Sequence, residues 1–494
     1  MTTRSSGILL HITSLPGPEG IGTLGGNAFR FVDFLERSRQ KVWQILPVGP
    51  VGYGNSPYQC YSAFAGHHLM IDLVELVNDG LLLDNDLKKI PRFDTKQVEF
   101  DKVAAWKMPL LQKAYQNFGI LKVFGLKDDY GRFLDENGWW LSDFTLFFAA
   151  KGKFKGDVWN NWEKGLKFRD NETLEQYREE LAEEAGFWEF VQFCFFRQWF
   201  KLKEYANSKG VKIIGDIPLY VALESVDVWA NPDIFLLDED LKPTHVGGVP
   251  PDYYSETGQL WGTPVFNWQG LKKREFDWWM ARIHFNLDMF DLLRIDHFRG
   301  LESFWSVKVG EKNAVNGEWA PAYGNELLTK LKGQISDLPI IAEDLGVITP
   351  EVERLRDDFN LPGMKVLQFA FTSDEKNEYL PHNYTSNYVV YTGTHDNDTS
   401  LAWFKSRNKT ERRMIGRYLS TKKNKIVKQL IEAAWASVAG MAIFPLQDLF
   451  ELGSEARMNI PGVATGNWGW RFRWKQVKGK HIRFLKDLTK QYNR

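Results

Sequence analysis

The sequence predicts an α/β fold, a (β/α)8 TIM barrel with mostly helical inserted subdomains and no separate C-terminal β-domain. Two observations lead to this prediction. Eight short apolar segments with the character of buried strands are spread along the 494 residues, and helix-like segments separate them. Acidic residues follow several of these segments where each strand is expected to end, and a barrel of this kind carries its functional groups there.

The first unit of strand, helix and strand lies within the first fifty residues. Residues 7–11 (GILLH) form a short apolar run, and the turn at residues 15–18 follows it. Asn27 is predicted to cap the next helix, whose apolar residues recur on one face. Residues 42–47 form a second short strand, and the short connections indicate a βαβ unit with parallel strands.

The other strands follow a long interruption. Residues 80–205 are rich in charged helix formers and aromatic residues, and we predict that they form a helical insertion subdomain. Strand-like segments resume at residues 211–222, 290–296, 338–346, 364–371, 386–398 and 440–450. With the first two they make the eight strands of a β/α barrel, so residues 1–494 are assigned to a single barrel with its insertions.

An open, doubly wound sheet is the weaker alternative. Such a fold usually has a glycine-rich phosphate loop after its first strand. Residues 17–26 (GPEGIGTLGG) are rich in glycine, but they lack the Walker spacing. The barrel is therefore the preferred prediction.

Composition and charge argue against several classes of protein. The 62 lysine and arginine residues balance 63 acidic residues, so the net charge does not indicate a nucleic-acid partner. No run of eighteen apolar residues indicates a membrane span, and the N-terminus does not resemble a signal peptide. Cys60 and Cys194 lie outside any CxxC or histidine-rich setting, so neither a disulfide framework nor a zinc site is expected. We expect a cytoplasmic globular protein whose oligomeric state the sequence does not reveal.

Aromatic residues are numerous, with 20 tryptophans, 17 tyrosines and 35 phenylalanines. Most of them belong in a core, but aromatic side chains also cover the flat apolar faces of ligand rings. The composition weakly favours a protein that binds sugars or bases, and the balanced charge favours sugars.

Charged residues lie at the ends of four predicted strands. Arg294 and Asp296 close an apolar strand, and because they are two residues apart their side chains share one face. Three other strand ends carry Asp216, Glu343, and Asp396 with His395 before it. A single acid at such a place is usually a helix cap or a turn residue, and an arginine near an aspartate is often a structural ion pair. Four acids at four strand ends of one barrel instead indicate a shared site.

A cluster of carboxylates suits either a metal site with oxygen ligands or glycosyl transfer. Glycosyl transfer needs one ionised carboxyl that attacks the sugar and one protonated carboxyl that donates to the leaving oxygen. Asp296 suits the first role, because Arg294 is expected to keep it ionised. Glu343 suits the second, because its strand is apolar and no cation adjoins it in the sequence.

Longer motifs around these residues resemble the active-site regions of the α-amylase clan, namely LLRIDHFRG (292–300), IIAEDLGVITPEV (340–352) and YTGTHDNDT (391–399). The whole set is similar to the 4-α-glucanotransferases of glycoside hydrolase family 77, called amylomaltases or disproportionating enzymes. The further motifs are GYGNSPYQCYSAFAGHHLMIDL (52–73), GDIPLYVALESVDVWANPDIF (215–235), PPDYYSETGQLWGTPVFNW (250–268) and ARMNIPGVATGNWGWR (456–471).

The resemblance implies a role for each residue of the site. Asp296 would be the nucleophile that forms a covalent glucosyl-enzyme, Glu343 the general acid and then the base, and Asp396 the group that holds the ring hydroxyls. The residues that would bind or support the substrate are Arg294, His395, Asp216, Tyr58 and Trp261, with Tyr58 stacked on the sugar ring. Trp261 lies in residues 245–285, which the resemblance marks as a loop insertion near the substrate groove; it is equally well explained as a packed anchor of that loop.

The implied reaction is a retaining transfer of an α-1,4-glucan segment from a maltooligosaccharide or starch donor to glucose or another glucan, without a metal or organic cofactor. A hydrolase that uses the same carboxylates is the nearest alternative. A non-catalytic glucan-binding protein and a metal-dependent barrel enzyme are more distant alternatives.

One departure from the family pattern is visible. The family commonly continues with Asn-Pro after SAFAG, where this chain has His67 and His68. Neighbouring residues on a strand face opposite sides, and two histidines without a third ligand are a weak metal signal. We expect both to be structural.

Overall fold

The computed structural model describes residues 4–120, 125–251, 255–420 and 425–494. All eight predicted barrel strands are present, together with four strands that the sequence did not predict. In chain order the strands are β1 Ser5–Leu9, β2 Val42–Gln44, β3 Lys212–Ile217, β4 His245–Val249, β5 Gln259–Pro264, β6 Leu292–Ile295, β7 Ser303–Lys308, β8 Gly317–Pro321, β9 Ile340–Ala342, β10 Gly363–Val366, β11 Tyr388–Tyr391 and β12 Met441–Pro445.

Eight of these strands form one parallel sheet in the order β10-β11-β12-β1-β2-β3-β6-β9. The two end strands meet where the Ala342 amide donates a hydrogen bond of 2.9 Å to the Pro362 carbonyl, just before β10. The sheet therefore closes into a barrel, and the predicted fold class is confirmed. The closed strand order excludes the doubly wound alternative. The glycine spacing alone would not exclude it, because Gly20, Gly22 and Gly25 match the GxGxxG pattern of a phosphate loop.

Seventeen α-helices are found in the described residues: α1 Gly26–Arg37, α2 Leu73–Asn78, α3 Phe100–Ile120, α4 Leu126–Lys153, α5 Lys164–Lys167, α6 Asn171–Glu180, α7 Ala182–Ser208, α8 Val226–Ala230, α9 Trp268–Lys273, α10 Asp277–Met289, α11 Gly324–Gln334, α12 Pro350–Asp358, α13 Ser400–Ser406, α14 Lys409–Tyr418, α15 Ile426–Ala436, α16 Leu446–Leu449 and α17 Gly479–Gln491. Residues 367–387, which join β10 to β11, contain short 3-10 turns in place of an α-helix. After β12, residues 446–494 form helices and loops.

The long connection from β2 to β3 carries α2 to α7. Helices α3 to α6 and most of α7 fall within residues 80–205, the predicted helical insertion, whereas α2 precedes it. Apolar side chains of α4 and α7 join the same continuous core as the barrel strands. A buried ion pair also links this region to the barrel, because Lys107 Nζ on α3 lies 2.7 Å from Glu19 Oε2 in the loop after β1. Residues 121–124 of the predicted insertion lie outside the described residues, and its boundaries stay a prediction.

The unpredicted strands form a second, antiparallel sheet in the order β5-β4-β7-β8. Two of them, β4 and β5, lie with α9 and the first part of α10 in residues 245–285, where a loop insertion was predicted. The adjacent Gly247 and Gly248 gave no strand signal, since glycine is disfavoured in strands. Residues 252–254 of this insertion lie outside the described residues.

The predicted cap of the first helix is wrong. Helix α1 begins at Gly26, and its N-cap residue is Gly25. Asn27 lies inside the first turn, where its side-chain oxygen accepts a hydrogen bond of 2.7 Å from Trp474 Nε1. A contact with the C-terminal segment has thus replaced the local capping role. In the described residues, no helix combines the length and the apolar character that crossing a membrane requires.

Candidate active site

The site is built around a buried arginine. Arg294 on β6 donates through Nη1 to both oxygens of Asp216, at 2.8 and 2.7 Å, and through Nη2 to Asp296 Oδ1 at 2.7 Å. Its Nε points to the sulfur of Met364 at 3.4 Å. The Tyr58 hydroxyl donates to Asp216 Oδ2 at 2.7 Å. One guanidinium thus orients two carboxylates at once.

Strand register explains why these groups meet. Asp216 on β3 lies directly opposite Arg294 on β6, and Arg294 lies opposite Ile341 on β9. Opposite residues on paired strands point to the same face, so Asp216 and Arg294 share the interior of the barrel. Leu293 and Ile295 point the other way and are fully buried, as their position in the sequence predicted.

Asp296 differs from its partners in its exposure. The side chain of Arg294 is 4 % exposed and that of Asp216 is 0 % exposed. The Asp296 side chain is 28 % exposed, because it follows the last residue of β6. Asp296 is therefore the member of this triplet that a ligand in the barrel mouth can reach.

Glu343 follows β9 directly and is held by the backbone. Its Oε2 accepts from the His297 amide at 2.7 Å, and its Oε1 accepts from the Leu345 amide at 3.1 Å. His297 has φ 54°, a left-handed conformation that is uncommon outside glycine. This turn after Asp296 presents its amide to Glu343 and so couples the ends of β6 and β9.

Asp396 lies on the loop beyond β11, not at the strand end where the sequence placed it, since β11 ends at Tyr391. Its Oδ2 lies 3.2 Å from His395 Nε2, and its Oδ1 accepts from Asn459 Nδ2 at 2.6 Å. The side chain remains 44 % exposed, whereas that of His395 is 4 % exposed. Arg457 Nη2 binds the Asp396 carbonyl at 2.6 Å and fixes the loop.

Tyr58 and Trp261 both lie beside the carboxyl groups. The Tyr58 ring stacks on His395 with centroids 5.1 Å apart and an interplanar angle of 17°, and Trp468 lies 5.8 Å from it. Trp261 packs edge-on against His297 at 4.8 Å. Direct contacts thus join six of the eight predicted site residues, namely Tyr58, Asp216, Arg294, Asp296, His395 and Asp396. Glu343 and Trp261 are connected to them through His297, the residue after Asp296. The rings of Tyr58 and Trp261 each already have an aromatic protein neighbour.

The two central carboxyls have separate pKa values. Burial, reinforced by the negative charge of Asp296, raises the pKa of Glu343 to about 8. Burial also raises the pKa of Asp296, to about 6, although Arg294 opposes the rise. The expectation that Arg294 keeps this carboxyl ionised needs a correction in degree, because desolvation outweighs the ion pair. At neutral pH the order is still a protonated Glu343 beside an ionised Asp296.

His395 and Asp396 form a second charged pair. Burial disfavours the charged form of His395, but Asp396 more than offsets this and raises the pKa of the imidazole. Burial likewise opposes ionisation of Asp396, yet His395 and the Asn459 hydrogen bond hold the pKa of that carboxyl well below its usual range. Asp396 is therefore an anion throughout the neutral range.

His67 is buried and His68 is half-buried, and in the described residues neither shows a hydrogen bond or ring contact with the eight residues of the site. Burial lowers the pKa of His67 well below its usual value and that of His68 to about 4, so both are neutral at pH 7. In the part of the chain that the structure describes, no three histidine, cysteine or acidic side chains are grouped as a metal site requires.

Sequence reasoning missed three residues of the site, namely Asn459, Arg457 and the backbone donor His297. The motif at residues 456–471 was recognised as a family feature, but nothing in it predicted which side chains reach Asp396. His297 lies inside a recognised motif, yet only its backbone amide acts, and a backbone contact leaves no mark on residue type.

A parallel barrel with ionisable side chains gathered at the carboxyl ends of β3, β6 and β9 is the arrangement of a barrel enzyme that works through carboxyl groups. Comparison with known proteins agrees. The sequence model of the 4-alpha-glucanotransferase family matches residues 10–477. The chain belongs to this family.

Relatives cover the whole chain. A 4-alpha-glucanotransferase from a Synechocystis species is 48 % identical over 98 % of this chain and 97 % of its own length. The 4-alpha-glucanotransferase of Clostridium butyricum is 46 % identical over 98 % of this chain and all of its own length. The amylomaltase of Streptococcus agalactiae, solved in complex with acarbose, superposes with a TM-score of 0.97 at 40 % identity and full coverage of both chains.

Proposed function

We propose that Asp296, Glu343 and Asp396 carry out the transfer of α-1,4-glucan segments by a retaining double displacement. Membership of the family makes the protein a 4-α-glucanotransferase, an enzyme that moves glucosyl groups between glucans. The observation that supports the proposed chemistry is the difference in pKa between two neighbouring carboxyls, since the pKa of Glu343 is about 8 and that of Asp296 is about 6. A retaining mechanism needs this combination of acid and anion.

In the first step, an oxygen of ionised Asp296 attacks C1 of the glucose unit at the cleavage point. The bond from C1 to the glycosidic oxygen breaks as Glu343 transfers its proton to that oxygen. The reducing-end fragment leaves with a free 4-hydroxyl, and the rest of the donor remains as an ester on Asp296. Because the exposed carboxylate is the attacking group, no rearrangement of Arg294 or Asp216 is needed.

In the second step, the 4-hydroxyl of an acceptor takes the place of the leaving group. Glu343, now ionised, accepts the hydroxyl proton, and the oxygen attacks C1 and displaces Asp296. Two inversions at C1 restore the α-configuration. Asp296 returns to its anionic form and Glu343 to its protonated form, so the cycle closes without a cofactor.

The remaining residues fall into two groups. Asp396 is open to the barrel mouth and is proposed to accept hydrogen bonds from sugar hydroxyls, with His395 and Tyr58 beside it. Arg294 and Asp216 are almost fully buried, so we propose that they position Asp296 and do not touch the sugar. Trp261 stays a proposed substrate contact on the β5 side of the mouth.

The partners of this reaction are glucans. The donor is an α-1,4-glucan, and the proposed acceptor is glucose or another glucan. A cytoplasmic location is likewise proposed, in keeping with the unpaired Cys60 and Cys194. The oligomeric state is not part of the proposal.

Incubation with maltotriose alone tests the function. A transferase produces glucose and a series of longer oligosaccharides, because the glucosyl-enzyme is captured by another maltotriose. A hydrolase with the same carboxyls produces glucose and maltose without longer chains. A product mixture free of species longer than maltotriose would contradict the transfer, and β-configured initial products detected by NMR would contradict the two-step mechanism.

A further inference from the structure

The antiparallel sheet carries a row of apolar residues that the proposed catalytic steps do not use. Trp319 on β8 lies opposite Trp305 on β7, Trp305 lies opposite Gly248 on β4, and Gly248 lies opposite Leu260 on β5. Directly opposite residues of antiparallel strands share a face. Four strands thus contribute one row, which is interrupted at Gly248 because glycine has no side chain, and its two end members, Trp319 and Leu260, are 38 % and 39 % exposed.

The row lies on the face of the sheet opposite the one that joins the main core. Phe304, next to Trp305, is buried in the main core, and successive residues of a strand point to opposite faces. Trp261, next to Leu260, packs on His297. The inner face of the sheet therefore touches His297, whose amide binds Glu343, and the outer face carries the two tryptophans.

Two side chains, those of Arg299 and Trp305, contact the ring of Trp319. The guanidinium carbon of Arg299 lies 3.6 Å from the centroid of its ring. The Trp305 ring meets it edge-on at 5.2 Å and is itself fixed by a hydrogen bond of 2.9 Å from Nε1 to the Ala314 carbonyl. With Arg299 on one face of the ring, Trp319 keeps an exposed aromatic surface that needs no reordering to receive a ligand.

The same arginine connects Trp319 to the loops that carry Glu343. Arg299 belongs to the turn after Asp296, and its Nη1 donates to the Val347 carbonyl. Val347 lies in the loop after β9, whose Leu345 amide binds Glu343. Trp319 therefore stands on the side of the site where the general acid lies, and that side receives first the leaving fragment and then the acceptor.

We propose that Trp319 stacks on a glucose unit of a long acceptor glucan, beyond the unit whose 4-hydroxyl reacts. The apolar face of a glucose ring is complementary to an exposed indole, and Arg299 fixes the indole from behind. This inference rests on the proposed function, since it uses the side of the site on which Glu343 acts. It predicts that Trp319 determines preference for acceptor length.

The experiment compares acceptors of different length. Maltotriose serves as the donor, and glucose and maltoheptaose serve as acceptors, each labelled with carbon-14 so that the reacting 4-hydroxyl stays free and no added group lengthens the acceptor. Trp319→Ala should raise the KM for labelled maltoheptaose by about three- to tenfold, the effect of one lost aromatic contact. The KM for labelled glucose should stay within about twofold, because a single glucose unit at the reacting position is too short to reach Trp319.

Three further variants serve as controls. Trp319→Leu keeps apolar cover over Arg299 and should show the same rise, which protects the test against misfolding of the alanine variant. Trp319→Phe keeps a flat ring and should retain most of the affinity. Val315→Ala alters an exposed apolar residue of the β7–β8 connection outside the row and should change neither KM.

Two results would overturn the inference. An equal rise in KM for glucose and maltoheptaose would show that Trp319 only supports the fold of the site, and unchanged values for both would show that it binds no acceptor. Absence of longer products from the unmutated enzyme with maltotriose would instead contradict the proposed function, so the two failures are distinguishable.

Discussion

At the scale of single residues, Asp296 and Glu343 show how one pocket keeps two carboxyls in different protonation states. Both are desolvated, and desolvation alone would raise both pKa values. Only Asp296 has a direct ion pair, with Arg294 at 2.7 Å, whereas Glu343 is held by neutral backbone amides. The ion pair with Arg294 limits the rise in the pKa of Asp296, and the charge of Asp296 adds to the rise in the pKa of Glu343, which places the anion on the nucleophile and the proton on the acid.

Replacement of Asp296 by asparagine should reduce transfer by at least about a thousandfold, because the amide cannot form the glucosyl ester. The fold should survive. The pKa of Asp296 is raised in the folded protein to about 6, so stability is lost as the pH rises from about 4, the ordinary aspartate pKa, to about 6. A neutral amide removes that cost at about pH 7. Initial rates with maltotriose and the thermal unfolding midpoint are the measurements. Asp240→Asn changes an exposed acid and should leave both intact; full activity of the Asp296 variant would refute the assigned role.

The pH dependence of kcat/KM should be bell-shaped. Activity requires Asp296 without its proton, so the rate falls as the pH drops through about 6, and it requires Glu343 with its proton, so the rate falls as the pH rises through about 8. Because the two groups interact, the apparent values belong to the pair. Replacement of Glu343 by glutamine should remove the alkaline limb from whatever activity remains. A profile that is flat from pH 5 to pH 9 would contradict the assignment.

At the scale of secondary structure, the barrel strands were predictable because parallel strands are covered on both sides and read as short apolar runs. Strand β12, buried at every position, is an example. The antiparallel sheet was not predictable in this way. Strands β5 and β8 together bury only two of their eleven residues, both at the end of β5. Strand β4, which pairs with β5, contains two glycines, so none of these three strands has a continuous apolar run.

The residues of the site also divide into those that the sequence could predict and those that it could not. Asp296 and Glu343 could be located because a charged residue at the end of an apolar strand contrasts with its surroundings. Asn459 and Arg457 could not, because they lie in a loop without periodicity and act on a loop residue distant in the chain. Their role depends on how residues 456–471 fold back against His395 and Asp396, which no local pattern encodes.

Strands β9 and β10 are the two end strands of the sheet, and Asp344 helps to hold them together. This buried carboxylate accepts a hydrogen bond of 2.7 Å from the Met364 amide of β10 and pairs with Arg356 of α12. It thereby supplies a contact between strands where the sheet closes.

Replacement of Asp344 by alanine should cost about 3–5 kcal/mol, the usual result of removing one partner from a buried pair. The unfolding midpoint in denaturant should fall accordingly. Asp357→Ala is the matched control, since Asp357 contacts the same arginine from an exposed position and should cost under about 1 kcal/mol. Equal effects of the two substitutions would show that the barrel does not depend on Asp344 for closure.

At the scale of the whole molecule, the helical region between β2 and β3 and the barrel share one continuous core. Lys107 of α3 is fully buried, bonds the Leu69 carbonyl at 2.8 Å and pairs with Glu19 beside the first barrel strand. Desolvation raises the pKa of Glu19 even with the lysine present, so this carboxylate depends on Lys107 for its charge. A buried pair of this kind makes the insertion and the barrel depend on each other.

Replacement of Lys107 by methionine should therefore destabilise the entire protein and not the insertion alone. It leaves Glu19 buried without its cation, at a cost of about 3–5 kcal/mol, and the unfolding temperature should fall by several degrees. Calorimetry should still show a single transition, at the temperature where transferase activity is lost. Lys113→Met, on the same helix but in an exposed pair with Asp86, should have little effect. An early transition that spares activity would mean that residues 80–205 fold as an independent unit, against the assignment of the chain to one barrel with insertions.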